Sequence, residues 1–283
     1  MGWSKLKTNT ELNSLISFLM KREWECVFFT SFISENFNNI FGKKNHNIFI
    51  KKDSFSSITG AVLIQRNGSI IPVFDSPNPE NEDLDLFSRI IIENSKDYYS
   101  LIGTNRNISP VKKILNQKNR GVNYYIMEYK KNTTNNSKKN VNLIIKKAGI
   151  SDAKTLFPLQ AEYEKEEVLF DPAKFNSFIS YASLKKSLKT RINYYAELNG
   201  KAVARAGTNA SGFDYFQIGS VYTHKKYRGM GIAGHLLKTL IDDISGKKKK
   251  VCLFVKKNNP PALRLYKKSG FVVKDDFSII YYR

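Results

Sequence analysis

Apolar and polar positions along this chain repeat with two periods, and the changes of period mark its elements. Apolar residues recur at helical spacing over about 8–20 and again over 22–35, which predicts two helices. His46–Lys52, Ser57–Arg66 and Ser69–Phe74 read instead as strands, with Asn67-Gly68 supplying a hairpin turn. Leu84, Phe87, Ile90 and Ile91 share one face of a helix predicted over Glu82–Asn94. A strand near Tyr99–Ile102, a helix near Pro110–Gln117 and a strand near Asn123–Tyr129 follow. Helices alternating with strands predict an α/β unit.

The run Lys130–Asn140 holds eleven consecutive polar residues and has nothing to bury, so it reads as an exposed connection. The expected division is an α/β domain over 1–130, a linker over 131–140 and a second domain over 141–283. In the second half a strand fits Val141–Lys147 and helices fit Asp152–Leu169 and Pro172–Ser187. Ile192–Leu198, Ala202–Ala210 and Asp214–Thr223 read as strands. Asn199-Gly200 and Ser211-Gly212 turn them into an antiparallel meander. Ile232, Leu236, Leu237, Leu240, Ile241 and Ile244 form one apolar stripe of a helix. The strand Val251–Lys256, a helix after Asn259 and closing strands near Val272 and Ile279–Tyr282 complete the pattern.

Length and composition narrow the class. At 283 residues the chain exceeds one average domain, and 41% hydrophobic content is too high for a disordered chain. It holds no apolar run of about 18 residues, so no membrane span is expected. Leu12–Met20 is interrupted by Asn13, Ser14 and Ser17 and lacks the flanks of a signal peptide. The opening Met1-Gly2-Trp3-Ser4-Lys5-Leu6 has no Ser or Thr in sixth place, which argues against myristoylation. Cys26 and Cys252 lie far apart in apolar runs and form neither a disulfide framework nor a metal-ligand set. A reducing, cytoplasmic setting is therefore expected. With 46 Lys plus Arg against 25 Asp plus Glu, the formal charge is +21. That charge admits a nucleic-acid partner, an anionic ligand or a Lys- and Asn-rich bias.

The chemistry concentrates in Val221–Gly234, where a strand runs into a glycine-rich loop that opens an amphipathic helix. Small residues let backbone N–H groups converge, and the helix N-terminus adds positive potential, so the segment suits a phosphate or pyrophosphate. Lys225, Lys226 and Arg228 reinforce that sign. No Lys-Ser/Thr pair follows Gly234, which excludes a P-loop. Gly229, Gly231 and Gly234 match the spacing of the dinucleotide fingerprint. However, an antiparallel meander precedes them where that fingerprint needs the first strand of a βαβ unit.

Arg228-x-x-Gly231-x-Ala233, after a strand ending in Val221-x-Thr223, resembles the acetyl-CoA-binding signature of the GCN5-related N-acetyltransferase (GNAT) family. Asn259 to Phe271 resembles that family's second block, in the same order and separation. The resemblance covers 141–283. The preceding α/β half, which lacks the glycine loop, resembles the degenerate N-terminal copy of two-domain members. The implied fold is a mixed, largely antiparallel sheet flanked by helices. The implied activity is transfer of an acetyl group from acetyl-CoA, as co-substrate, to a primary amine by direct attack. Carried over by position, the resemblance implies main-chain contacts to the pantetheine arm from Val221 and Thr223. It implies pyrophosphate contacts from Arg228, Gly229, Gly231 and Ala233, and a polar contact from Asn259. A Val221 N–H would stabilise the oxyanion, and Tyr266 would protonate the departing thiolate.

Asn259 before Pro260 is also a well-placed helix cap, which is sufficient reason for it. The base that takes the amine proton stays unassigned. The strand Val251–Val255 holds no carboxylate, the preceding strand offers Asp214, Gln217 and Ser220, and the first helix region offers Glu162, Glu166 and Glu167. Glu162 and Glu166 share a face that could receive a cationic amine, or be only a solvated acidic face. His224 follows the strand at the pyrophosphate end. The acceptor expected is a small-molecule or peptide amine. Two other readings compete: a catalytically inactive CoA-binding protein, and a nucleic-acid-binding protein using Lys247–Lys250, Lys256-Lys257 and Lys267-Lys268. The positive residues beyond the loop are scattered and form no continuous stripe, which argues against nucleic acid. Nothing in the sequence points to a membrane or fixes an oligomeric state.

Overall fold

The fold was taken from a computed structural model, which describes residues 2–42, 46–76, 81–94, 98–115, 117–130 and 143–282. The expected linker over 131–140 lies outside the described residues. The first half runs β1 (Gly2–Lys5), α1 (Asn9–Met20), α2 (Glu23–Asn36), β2 (His46–Lys52), β3 (Ile58–Gln65), β4 (Ser69–Phe74), α3 (Asn81–Asn94), β5 (Ser100–Thr104), α4 (Asn105–Ile114) and β6 (Asn119–Tyr129). The second half runs β7 (Leu143–Lys147), α5 (Ala153–Tyr163), α6 (Ser177–Thr190), β8 (Asn193–Leu198), β9 (Lys201–Ser211), β10 (Tyr215–Thr223), α7 (Ile232–Gly246), β11 (Lys250–Lys256), α8 (Pro260–Lys268) and β12 (Phe271–Tyr282).

All twelve strands form one sheet in the order β1-β2-β3-β4-β5-β12-β6-β11-β10-β9-β8-β7. Among the described residues the only parallel neighbours are β4 with β5 and β10 with β11; each pair is joined through a helix, as a parallel connection requires. Two strands cross between the halves. β6 pairs with β11, from Cys252 opposite Glu128 to Lys256 opposite Tyr124. β12 pairs with β5 of the first half as well as with β6. The division at 131–140 is therefore not a division of the sheet: each half is completed by the last strand of the other.

The helices cover both faces. On one, the stripe of α7 (Ile232, Leu236, Leu240 and Ile244) packs on Ala196, Ala204, Ala206 and Leu253. The small alanines let the helix approach the sheet closely. On the other face, Leu156 and Leu159 of α5 and Leu184 and Leu188 of α6 cover Tyr195 and Tyr222. Helix α2 lies beside them, with Val27 against Ala210, Tyr215 and Cys252. Its first turn is pinned to the β9–β10 turn by Glu23, fully buried, whose carboxylate accepts the N–H groups of Phe213 (2.5 Å), Asp214 (2.7 Å) and Tyr215 (3.2 Å).

Three element expectations need correction. The helix placed near Pro110–Gln117 begins at Asn105, straight after β5, because Asn107, Ile108 and Val111 have a core to enter. Pro110 sits inside it rather than at its start. The two closing strands are one strand, β12; the polar Lys274-Asp275 between them belongs to a bulge, where the register against β6 shifts. The helix expected over Asp152–Leu169 ends at Tyr163 and continues as a wide π-type turn over Glu164–Val168.

Candidate functional site

Strands β10 and β11 pair from Tyr215 opposite Lys250 to Ile218 opposite Leu253, and then part. The divergence begins where β10 bulges: Gly219 lies opposite Gly207 and Tyr222 opposite Arg205, so two residues face one. Ser220, inside the bulge, has φ +51, and Gly219 passes so close to the Asn209 side chain that a Cβ there would lie 1.9 Å from it. A side chain at 219 would force the strands apart differently. Beyond the bulge the two strands enclose a cleft of about 730 Å³.

Every residue to which the resemblance assigned a role lines this cleft. Val221 and Thr223 form the β10 wall, and Arg228, Gly229, Gly231 and Ala233 form the loop and first turn of α7. Asn259 and Tyr266 come from the far side, at the start and the last turn of α8. Gly229 (φ +82) and Gly231 (φ +75) hold backbone angles that L side chains rarely adopt, and a Cβ at either position would meet nothing within 4 Å. Gly231 caps α7 without any side-chain hydrogen bond to its N–H groups. In contrast, the Asn259 side chain caps α8 by accepting the Ala262 N–H at 3.1 Å. The first turn of α7 therefore keeps N–H groups and positive potential available to an anion.

Arg228 is held in place at the cleft mouth. Its Nε donates to the Thr223 carbonyl at 3.0 Å, and its guanidinium meets Glu166 at 2.8 and 3.0 Å. That hydrogen bond holds the Glu166 carboxyl below its usual range and raises Arg228. Lys225 approaches Glu166 at 3.8 Å. Tyr222 donates toward both Glu162 and Glu166, each at 3.1 Å, and His224 Nε2 lies 3.7 Å from Glu162. His224 Nδ1 accepts the Lys226 N–H at 3.3 Å. Glu162 is thus tied to Tyr222 and lies near His224, and Glu166 is tied to Tyr222 and Arg228 while lining the cleft.

Tyr266 is buried at 8% exposure and packs edge-on against Phe271, with ring centroids 6.0 Å apart. Burial, with smaller contributions from Tyr163 and Glu167, pushes its hydroxyl well up, so it stays protonated at neutral pH. The π-type turn supplies the third carboxylate of its run. Glu167 lines the cleft, as Glu166 does. There it accepts from Asn259 Nδ2 at 3.4 Å and from Lys256 Nζ, also at 3.4 Å; Lys256 in addition donates to the Glu167 carbonyl. The sequence shows the acidic run, but nothing in it announces the π-type turn or the different partners of Glu166 and Glu167. Lys256, read before as part of a basic patch, also lines the cleft.

The other candidates lie elsewhere. Asp214 precedes β10 at the end where β10 and β11 still pair, with its carbonyl accepting the Lys250 N–H at 2.8 Å. Gln217 is buried, and its Oε1 has no hydrogen-bond partner. In the basic run, Lys247 pairs with Asp243, Lys249 donates to the Phe213 carbonyl and Lys250 lies over the Tyr215 ring. Among the described residues no helix is long and apolar enough to cross a membrane.

Residues 155–271 match the model of the Acetyltransferase (GNAT) family, so the second half carries a GNAT domain. No curated protein sequence matches the chain. Solved structures extend the likeness to its full length. An X-ray structure of a Drosophila protein aligns over 99% of this chain and 98% of its own, with TM-score 0.71 at 11% identity. A tandem GNAT protein from the clavulanic acid biosynthesis pathway aligns over 99% and 97%, with TM-score 0.61 at 9% identity. A GNAT-family acetyltransferase from Colwellia psychrerythraea aligns over 100% of both, with TM-score 0.55 at 13% identity. The chain thus has the GNAT fold throughout, and the family match over 155–271 supports an acyltransferase.

Proposed function

We propose that the protein is an N-acetyltransferase that moves the acetyl group of acetyl-CoA, its co-substrate, onto a primary amine. The observation that carries this reading is the cleft itself, where the glycine loop, the parting strands and Tyr266 converge on one space of about 730 Å³.

In this reading the pyrophosphate sits on the uncapped first turn of α7, against Gly229, Gly231 and Ala233, with Arg228 beside it. The pantetheine arm runs between the parted strands along Val221 and Thr223. Asn259 contacts the co-substrate while capping α8. The amine nitrogen attacks the thioester carbonyl carbon, and the Val221 N–H steadies the negative oxygen that forms. A carboxylate takes the proton the nitrogen loses; of the two glutamates that line the cleft, Glu166 is bound to Arg228, and we assign the role to Glu167, fixed by Asn259 and Lys256. As the C–S bond breaks, Tyr266 passes its proton to the sulfur. The buried free thiols of Cys26 and Cys252 accord with a cytoplasmic location.

Isothermal titration with CoA, paired with a thiol-release assay over an amine panel, tests the reading. CoA binding followed by amine-dependent thiol release is the expected result, and absence of CoA affinity overturns it. CoA binding without turnover of any amine would favour the inactive CoA-binding alternative.

A further inference from the structure

On the α5/α6 face of the sheet lies a second cavity, of about 290 Å³, that the cofactor cleft does not use. Arg205 of β9 reaches it with only 2% of its surface exposed. Its hydrogen-bond partners are two side-chain amides: the Gln160 oxygen on Nη1, and Asn193 Oδ1 at 3.5 Å from Nη2. Both amides are oriented from behind. Gln160 Nε2 donates to Glu164 at 2.5 Å, and Asn193 Nδ2 donates to the carbonyls of Ser187 (3.0 Å) and Arg191 (3.3 Å). Glu164 therefore acts on Arg205 from one amide away, and among the described residues no carboxylate pairs with the guanidinium directly.

A guanidinium buried this far is normally matched by a carboxylate, because an unpaired buried charge is costly and only part of its five-donor fork is filled here. Burial pulls Arg205 down to about 10, which leaves it charged at neutral pH. Lys186 and Arg191 also line the cavity, and no acidic side chain does. Arg191 is already paired with Glu35 at 2.6 Å, so Arg205 is the buried cation that lacks an anion.

The cavity's position gives that anion a use. Ser220 lines it, while the next residue, Val221, lines the cofactor cleft. Adjacent Cα atoms are about 3.8 Å apart, so the bulge of β10 is a wall one residue thick between the two. The volume lies at the small end of ligand pockets, which run from roughly 300 Å³ upward.

Resting on the acyltransferase reading above, we infer that the acceptor is a small amine that also carries an anionic oxygen group, a carboxylate or a phosphate, bound by Arg205 so that its nitrogen reaches the thioester across the bulge. The two sources of anion are separated by matched acceptor pairs in the thiol-release assay with acetyl-CoA. Glycine, alanine and phenylalanine are compared with methylamine, ethylamine and phenethylamine, and phosphoethanolamine with ethanolamine. The anionic member of at least one set is expected to be favoured in kcat/KM by about a hundredfold, the scale of a buried charged hydrogen bond. Arg205→Gln should abolish that preference, mainly through KM, while CoA affinity by calorimetry stays within about threefold; Arg205→Lys should keep part of it. Equal or better turnover of the uncharged members overturns the inference while leaving the acyltransferase reading intact, as does a preference that survives in Arg205→Gln. If Arg205→Gln does not fold, the wild-type pairs decide alone. If CoA does not bind, the acyltransferase reading fails. The anion site is then judged by thermal stabilisation of the wild type by phenylalanine and phosphoethanolamine: stabilisation that Arg205→Lys weakens supports it, and none overturns it.

Discussion

The two halves open the same gap in the sheet and treat it in opposite ways. In the second half β10 and β11 part after four paired residues and leave the cleft. In the first half β4 and β5 are also parallel, pair only at Ser69 with Ser100 and Ile70 with Leu101, and then part. There the chain fills the gap itself. The Asn107 side chain, buried to 1% exposure, accepts the Phe74 N–H at 3.0 Å, a hydrogen bond that the neighbouring strand does not supply. Ile108 lies against β5 so closely that a Cβ on Gly103 would be 3.0 Å from it. The difference traces to three residues. Helix α4 follows β5 immediately, whereas Lys257-Asn258-Asn259 separate β11 from α8. With that spacer, α8 starts beyond the gap and turns Tyr266 toward it; without one, the first turn of α4 enters the gap. A parted pair of strands thus becomes a binding cleft only when the following helix stays out of it and the preceding loop supplies N–H groups.

Substitutions at matching places sharpen that contrast. The largest effect is expected from Tyr266→Phe, which should lower kcat by about 10²–10⁴-fold, the usual worth of a positioned proton donor, with CoA affinity nearly unchanged. Steady-state kinetics beside calorimetry separate the two, and an unchanged kcat would remove Tyr266 from the chemistry. Gly231→Val places a side chain in the left-handed region and over the uncapped helix start. CoA affinity should fall by about 10–100-fold in calorimetry, whereas a loss below twofold would show that the loop does not seat the anion. In the plugged gap, Asn107→Ala leaves the Phe74 N–H without its acceptor. We expect a loss of about 1–3 kcal/mol in urea unfolding with CoA affinity preserved; altered CoA binding would mean that the first half shares the site.

The smallest effect concerns the Arg228–Glu166 pair. Because the Arg228 hydrogen bond holds Glu166 below its ordinary 4.5, its stabilisation is present above that value and is lost as pH falls through the lowered pKa. The difference in melting temperature between wild type and Glu166→Gln should therefore be steady at neutral pH and shrink toward zero in acid. A difference that persists in acid would assign the effect to packing.

Much of this molecule could be read in advance, for identifiable reasons. The helix α7 and the meander β8–β10 are legible because one face of each is buried, so the periods of 3.6 and 2 are written into the residues. The loop is legible because anion binding needs glycines next to a helix start. The errors lie where the cause is not local. Lys274-Asp275 looked like a break because a bulge places polar residues inside a strand, and that bulge exists only against β6. The exchange of β6 and β12 between halves leaves no mark on either strand, since an alternating strand suits any neighbour of matching register. Glu166 and Glu167 adjoin in the chain yet serve different partners, because Arg228 and Asn259 reach them from elements far along the chain.

The residues by themselves determined most of the order of elements, the anion-binding loop and the identity of the groups available for acyl transfer, because helix starts, turns and amphipathic stripes are short-range demands. Only the tertiary structure decided which of two parted strand pairs becomes a cleft, which partner each glutamate at its mouth takes, and that a guanidinium 23 residues before Arg228 in the chain, Arg205, sits behind the same bulge without a directly paired anion. Those outcomes depend on long-range packing: where a strand end leaves the next helix, which distant side chains reach a carboxylate, and the burial of a charge among neutral amides. No local pattern encodes them.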